Sequence, residues 1–257
     1  MNPMQTAIAL WTLVYKEIKR FTRIWPQTLL PPSITMTMYF IIFGNLIGSR
    51  IGEMDGYSYM DFIVPGLIMM AVITNSYSNV ASSFFSNKFQ RSIEEMMVSP
   101  MPNWVILAGF VLGGMARGLG VGIIVTVVSL FFTRIEVAHP LLTVFVVVLT
   151  AALFAIGGFI NALLGKKFDD ISIVPTFILT PLTYLGGVFY SISLLPSFWQ
   201  GVSMLNPILY MVNVFRYGFL GVSDIPVGWA LTAVLAFIVV LFGLALWMLE
   251  RGKGIRS

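Results

Sequence analysis

The sequence predicts an all-α polytopic membrane protein: six transmembrane helices, an N-terminal amphipathic interfacial helix and an external re-entrant helical hairpin before the last span. Three observations carry this. Composition comes first: 257 residues at 58% hydrophobic and 10% charged, with mean hydropathy +0.90, lack the polar shell that a soluble globule of this size needs. Second, six apolar stretches reach the ~20 residues that a helix needs to cross about 30 Å of hydrocarbon. Third, positive charge is segregated into alternate loops. The same hydrophobicity excludes disorder, and the absence of cysteine excludes a disulfide scaffold, a thiolate metal site and a cysteine nucleophile. A formal charge of +4 and a pI near 9.4 follow the positive-inside pattern, so no nucleic acid is expected as a partner.

The first element is a cytoplasmic helix over residues 1–24. At 100° per residue, Trp11, Val14, Ile18, Phe21 and Trp25 fall within an arc of about 80°, and Lys16, Lys19, Arg20 and Arg23 within an opposite arc of about 100°. The bases come after the first apolar residues, and no small-residue cleavage site follows, so this is not a secretory signal. It reads as an interfacial helix whose apolar stripe lies in the inner leaflet while its bases meet anionic headgroups of the lipid bilayer.

The six spans follow at 25–47, 59–85, 105–133, 140–164, 171–190 and 227–249. An even number puts both termini on one side. That side collects Lys16, Lys19, Arg20, Arg23, Lys88, Arg91, Lys166, Lys167, Arg251, Lys253 and Arg256, eleven of the fifteen bases. Only Arg50, Arg134 and Arg216 fall in the opposite loops, which makes both termini cytoplasmic.

Residues 191–226 are apolar too, and a seventh span is the competing reading. It would move Arg251, Lys253 and Arg256 outside. Pro196 and Pro207 also break the stretch into pieces too short to cross. An external hairpin dipping into the outer leaflet fits better, with Trp199, Tyr210 and Tyr217 at the headgroup boundary.

Inside the bundle, Gly109 and Gly113, Gly114 and Gly118, and Gly118 and Gly122 are each four apart and give the third span a thin face for a neighbouring helix. Polar stripes run down two other spans: Asn75, Asn79, Ser82, Ser83 and Ser86 on the second, and Thr176, Thr180, Thr183 and Tyr184 on the fifth. Such uncharged groups either bond helices together or line a path for an amphipathic substrate, and their occurrence on two separate helices favours the path. The expected lining residues are Asn75, Asn79, Ser83, Thr176, Thr180 and Tyr184. Arg117 is the one ionised side chain well inside a span; it either functions there or snorkels toward the cytoplasm.

Several chemistries are missing. His139 stands alone in a short external loop, so no metal site is expected. Asp169 and Asp170 follow Lys166 and Lys167 in a charge-balanced turn. Asp61 is the only acid inside an apolar stretch, which disfavours an ion-coupled secondary transporter. The absence of catalytic pairs disfavours an intramembrane enzyme, and a non-transport scaffold is the remaining rival. Gly165 and Gly252 precede lysines, but Ile160 and Trp247 occupy the position of the first P-loop glycine, so this chain binds no nucleotide by that motif.

Between the second and third spans, residues 86–104 form a cytoplasmic loop that reads as a short amphipathic helix ended by prolines. Phe89, Ile93, Met96 and Met97 make one face, and Lys88, Arg91, Glu94 and Glu95 supply charges for a soluble partner.

The run 89–102, the segment Pro181-Leu182-Thr183-Tyr184-Leu185-Gly186-Gly187-Val188-Phe189-Tyr190-Ser191 with Leu195-Pro196, and Asn206-Pro207-Ile208-Leu209-Tyr210 with Arg216 together resemble membrane subunits of type-2 ABC exporters. The resemblance covers nearly the whole chain. It implies one permease domain over 1–257 in the bacterial inner membrane, with 1–24 as connecting helix, a coupling helix between the second and third spans, and the re-entrant hairpin at 191–226. It also implies a homodimer carrying two copies of a separately encoded ATPase subunit, with ATP and Mg held there and no cofactor on this chain. The coupling role carries over to Lys88, Phe89, Gln90, Arg91, Glu94, Glu95 and Pro100. Cargo in the wider family runs from polysaccharides to drugs, so the resemblance fixes no substrate.

Overall fold

Local signals in the sequence set most element boundaries of the computed structural model, which describes residues 1–134 and 137–254. Helix α1 (Pro3–Arg23) opens on a reciprocal cap: the Gln5 backbone N–H donates to the Asn2 side chain at 3.0 Å, and the Asn2 N–H donates to the Gln5 side chain at 3.1 Å. Helix α2 (Trp25–Ile51) has prolines in its first turns and widens into a π-helical stretch over Phe40–Ile47. A two-strand hairpin follows, β1 (Glu53–Met54) against β2 (Tyr57–Ser58), turning through Asp55 and Gly56, both at positive φ as a two-residue hairpin requires.

Helix α3 (Tyr59–Phe89) starts on the Ser58 hydroxyl, which accepts from the Asp61 N–H, and it is the axis of the bundle, buried on nearly every side. After a left-handed turn at Arg91 come α4 (Ser92–Val98) and α5 (Asn103–Ser129), then α6 (Pro140–Leu164), which begins at a proline. Helix α7 spans residues 170–184. Asp170 opens it by accepting the backbone N–H groups of Lys166 and Lys167, which hold its carboxyl below the usual carboxylate range. Short helices α8 (Ser197–Met204) and α9 (Pro207–Leu220) lead to α10 (Val227–Glu250).

The glycines of α5 serve two neighbours rather than one. A Cβ at Gly109 or Gly113 would strike Leu13 or Glu17 of α1, whereas one at Gly114, Gly118 or Gly122 would strike Val80, Ser76 or Val72 of α3. Helix α5 is therefore wedged between α1 and α3 with backbone in contact on both sides. Two apolar clusters fill the bundle, an outer one around Phe62, Leu67, Val188 and Phe215 and an inner one around Leu13, Phe84, Phe110 and Phe159.

Among the described residues, five helices are long and apolar enough to cross a membrane: α2, α3, α5, α6 and α10. The segment expected to span at 171–190 is helical only over 170–184, about 22 Å at 1.5 Å per residue. Pro175 opens a π-helical turn inside it, and Gly187 at φ 72 lies in the chain reversal beyond it. Hydropathy registers the apolar residues of this segment but not the glycine and proline geometry that shortens the helix. Helix α5 ends at Ser129, four residues before the expected Thr133, whose hydroxyl instead donates to Asp61. Residues 191–226 form a 3-10 turn (Ile192–Leu194), α8 and α9, with both prolines at helix starts rather than inside helices. Arg256, counted above among the cytoplasmic bases, lies outside the described residues.

Candidate functional site

The polar stripe of α3 is engaged along its length by charged residues. Arg117 Nη2 of α5 donates to Asn75 Oδ1 at 3.3 Å and to the Thr28 carbonyl at 3.4 Å. Arg20 Nη2 of α1 donates to Asn79 Oδ1 at 2.8 Å. The Ser83 hydroxyl donates to Glu17 Oε2 at 2.6 Å, and Lys16 Nζ donates to Asn87 Oδ1 at 3.0 Å. Four residues of α3 spaced four apart thus meet four charges, three of them on α1. Arg20 Nε also pairs with Glu17 Oε2 at 3.3 Å, while Glu17 Oε1, Asn79 Nδ2 and Arg117 Nε have no partner.

This departs in part from the expected face of α1. Trp11 and Trp25 of the expected stripe are exposed, as lipid-facing residues are, but Phe21 is buried with Leu13 and Glu17, and Lys16 and Arg20 turn toward α3. Leu13, Glu17 and Phe21, four apart, make an inward face against α3 and α5 beside the outward apolar one. The sequence reading missed Glu17. Its signal was available, since it is the only acid before Glu53, set among four bases. Glu17 lies outside the apolar stretches, so Asp61 is still the only acid within one, but Glu17 is fully buried and is held by a serine and an arginine.

The six expected path residues do not share a surface. Asn75, Asn79 and Ser83 are buried under α1 and α5, whereas Thr176, Thr180 and Tyr184 of α7 are exposed. Thr176 and Thr180, but not Tyr184, border a crevice of about 220 Å³ lined also by Met70, Thr74, Leu179 and Thr183. The Thr180 and Thr183 hydroxyls already donate to the Pro175 and Leu179 carbonyls at 2.9 and 2.7 Å, so each offers lone pairs to a ligand. Beside it, Tyr39, Phe43, Tyr184 and Phe189 stack into an aromatic cluster, with the two tyrosine oxygens 3.4 Å apart.

At the opposite end, the loop 86–104 divides its residues between anchoring and display. Phe89 still belongs to α3, Gln90 and Arg91 turn the chain, and α4 packs down through Ile93, which is fully buried. Phe89 and Val98 are 64% and 88% exposed, and Gln90, Arg91, Glu94, Glu95 and Pro100 are exposed with them. Met96 and Met97 are half-buried. Lys88 faces inward: its Nζ donates to the carbonyls of Ala162, Leu163 and Gly165 at 3.3, 2.8 and 2.6 Å, capping the C-terminal end of α6.

At the end of the bundle away from that loop, Arg216 is buried within α9 rather than displayed in a loop. Its Nη2 donates to the Gly187 carbonyl, and its guanidinium lies 3.8 Å from the centre of the Phe62 ring. Asn206 Nδ2 donates to the Leu182 carbonyl at 2.6 Å, tying 191–226 to the end of α7, and the Ser191 hydroxyl donates to Asp224 at 2.7 Å, closing the segment on itself. His139 stacks on Tyr217 at 5.0 Å, and no group of metal-binding side chains occurs among the described residues.

Residues 8–220 match the ABC-2 type transporter family. The chain is 61% identical to the inner membrane transport permease YadH of Escherichia coli (strain K12) over 250 residues, 97% of this chain and 98% of that protein. It is 27% identical over 223 residues to Nodulation protein J of Rhizobium meliloti (strain 1021), covering 83% and 82% of the two chains. Against Nodulation protein J of Sinorhizobium fredii (strain NBRC 101917 / NGR234), identity is 24% over 206 residues, 80% and 79% of the two.

Proposed function

The chain belongs to the ABC-2 type transporter family as a multi-pass inner-membrane permease subunit, and from that premise we propose that it is the membrane half of an ATP-driven exporter. Permeases of this family work with an ATPase subunit. In this reading two copies of the chain pair with two copies of that subunit, ATP and Mg are bound there, and this chain holds no cofactor. The termini are cytoplasmic, α7 with the turn after it serves as a sixth crossing, and 191–226 dips into the outer leaflet without passing through it.

The observation that carries this reading is the surface of α4. Phe89, Gln90, Arg91, Glu94, Glu95, Val98 and Pro100 stand exposed around a short helix whose underside is buried at Ile93, in one apolar cluster with Phe84 and Phe85 of α3 and Ile106 and Leu107 of α5, which gives a push on that surface a packed route to both helices. Lys88 contributes by fixing the base of this platform to α6. The cargo is amphipathic, lipid-linked or drug-like and follows the crevice at Thr176 and Thr180 past the aromatic cluster of Tyr184. Asn75, Asn79, Ser83 and Arg117 border the path from behind, as the seam through which α1 holds α3.

The purified chain alone should hydrolyse no ATP, and co-expression with its ATPase subunit should yield a complex that does. Vanadate-sensitive hydrolysis by the rigorously purified chain alone would overturn the division of labour.

A further inference from the structure

The end of α10 carries a cluster that the transport reading does not use. Gly252 and Gly254 adopt φ of 62° and 80°, a left-handed region that glycine enters without penalty. The chain therefore doubles back, with the Gly252 and Lys253 N–H groups donating to the Leu249 and Met248 carbonyls, each at 3.0 Å. This reversal lays Lys253 Nζ 4.3 Å from the centre of the Trp247 ring, while Arg251 Cζ lies 4.9 Å from the same ring. The two cations are thus about 9 Å apart or closer, on the order of a Debye length, and the geometry holds them together against their repulsion.

The base beneath them is fixed. Ala245, Met248 and Leu249 are buried in the inner cluster, and Gly254 lies against the Leu163 carbonyl of α6. The other face of α10 is an apolar ladder: Phe237, Val240, Leu244 and Trp247 recur at i, i+3, i+7 and i+10, all exposed, and Arg251 continues the same line. Along one strip of helix the surface passes from aliphatic to indole to two cations, the order in which a phospholipid presents acyl chain, interface and phosphate.

We propose that this strip binds an anionic phospholipid, its phosphate bridging Arg251 and Lys253 at the edge of Trp247 and an acyl chain lying along Leu244 and Val240. An arginine fork and a lysine point charge suit phosphate oxygens. The assignment of this lipid to the cytoplasmic leaflet rests on the orientation proposed above; the site itself does not.

The test is native mass spectrometry of the purified full chain in mild detergent with equimolar phosphatidylglycerol and phosphatidylethanolamine. At least fivefold preferential retention of phosphatidylglycerol is expected. The double variant Arg251→Gln/Lys253→Gln should lose that preference, Arg251→Lys should keep most of it, and Lys166→Gln/Lys167→Gln should leave it unchanged. Equal retention of both lipids by the wild-type chain, or an unchanged preference in the double variant, overturns the site. Displacement of the lipid by millimolar inorganic phosphate overturns the lipid assignment in favour of a soluble anion. Loss of the ATPase subunit from the double variant with lipid retention intact makes the strip a protein contact instead. Leaflet is read separately from a Glu250→Cys variant: labelling by an impermeant maleimide before permeabilisation overturns the orientation while leaving the lipid result standing.

Discussion

The Ser83 hydroxyl donates to the Glu17 carboxylate at 2.6 Å, joining the permease's N-terminal helix to its most deeply buried span across 66 positions of sequence. A hydrogen bond to a buried charge contributes about 1.5–3 kcal/mol. Ser83→Ala should therefore lower the unfolding temperature of the detergent-solubilised chain. Ser82→Ala, which removes only bonds to its own helix backbone, should change it little. Equal melting of the two variants would contradict the seam.

The packed and the open glycines of α5 predict opposite signs for one chemical change. Gly114→Ala and Gly118→Ala push a methyl group into Val80 and Ser76 and should each cost about 1–3 kcal/mol through overpacking. Gly120→Ala meets nothing within 4 Å and should gain up to about 1 kcal/mol in helix propensity. Thermal unfolding of the three variants side by side is the check, and uniform destabilisation would contradict the packing.

Lys88 and Glu94 lie in the same loop but should fail differently. Lys88→Met removes the cap from α6 and should reduce stability while leaving any complex that forms able to hydrolyse ATP. Glu94→Lys/Glu95→Lys should leave stability within about 0.5 kcal/mol, as for most surface changes, and weaken retention of the ATPase subunit several-fold. Pull-down and melting temperature measured on the same preparations separate the two outcomes.

The outer segment is open to a labelling experiment because the chain has no cysteine. Ser193→Cys and Ser223→Cys should both react with an impermeant maleimide in intact cells. Reaction of one only after permeabilisation would place a crossing between them.

How much of this was legible beforehand varied with the physics involved. Helix starts at Asn2, Ser58, Pro140 and Pro207 follow capping chemistry that is local in sequence, and the long apolar spans follow composition. The short helix before Pro100 was also readable, because proline ends helices wherever it falls. The direction of the α3 stripe was not. A row of asparagines and serines looks the same whether it lines a path or accepts from arginines, and its partners sit 42 to 71 positions away. The burial of Arg216 was hidden for a similar reason, since nothing near it in sequence announces the Phe62 ring or the Gly187 carbonyl. The premature end of α7 depended on one glycine's backbone angle, which hydropathy does not register.

The docking of α1 has a consequence for the order of events during synthesis. Its partners Asn79, Ser83, Gly109 and Gly113 leave the ribosome roughly 60 to 100 residues after it does. At about 5–20 residues per second, α1 waits on the order of 3 to 20 s before the groove it fills exists. Through that interval Glu17 has no serine to bind, while the exposed Trp11 and Tyr15 offer the aromatic groups that suit a bilayer surface. Helix α1 is thus made well before it can be seated, and a defect in α3 or α5 should show itself first as an α1 open to protease.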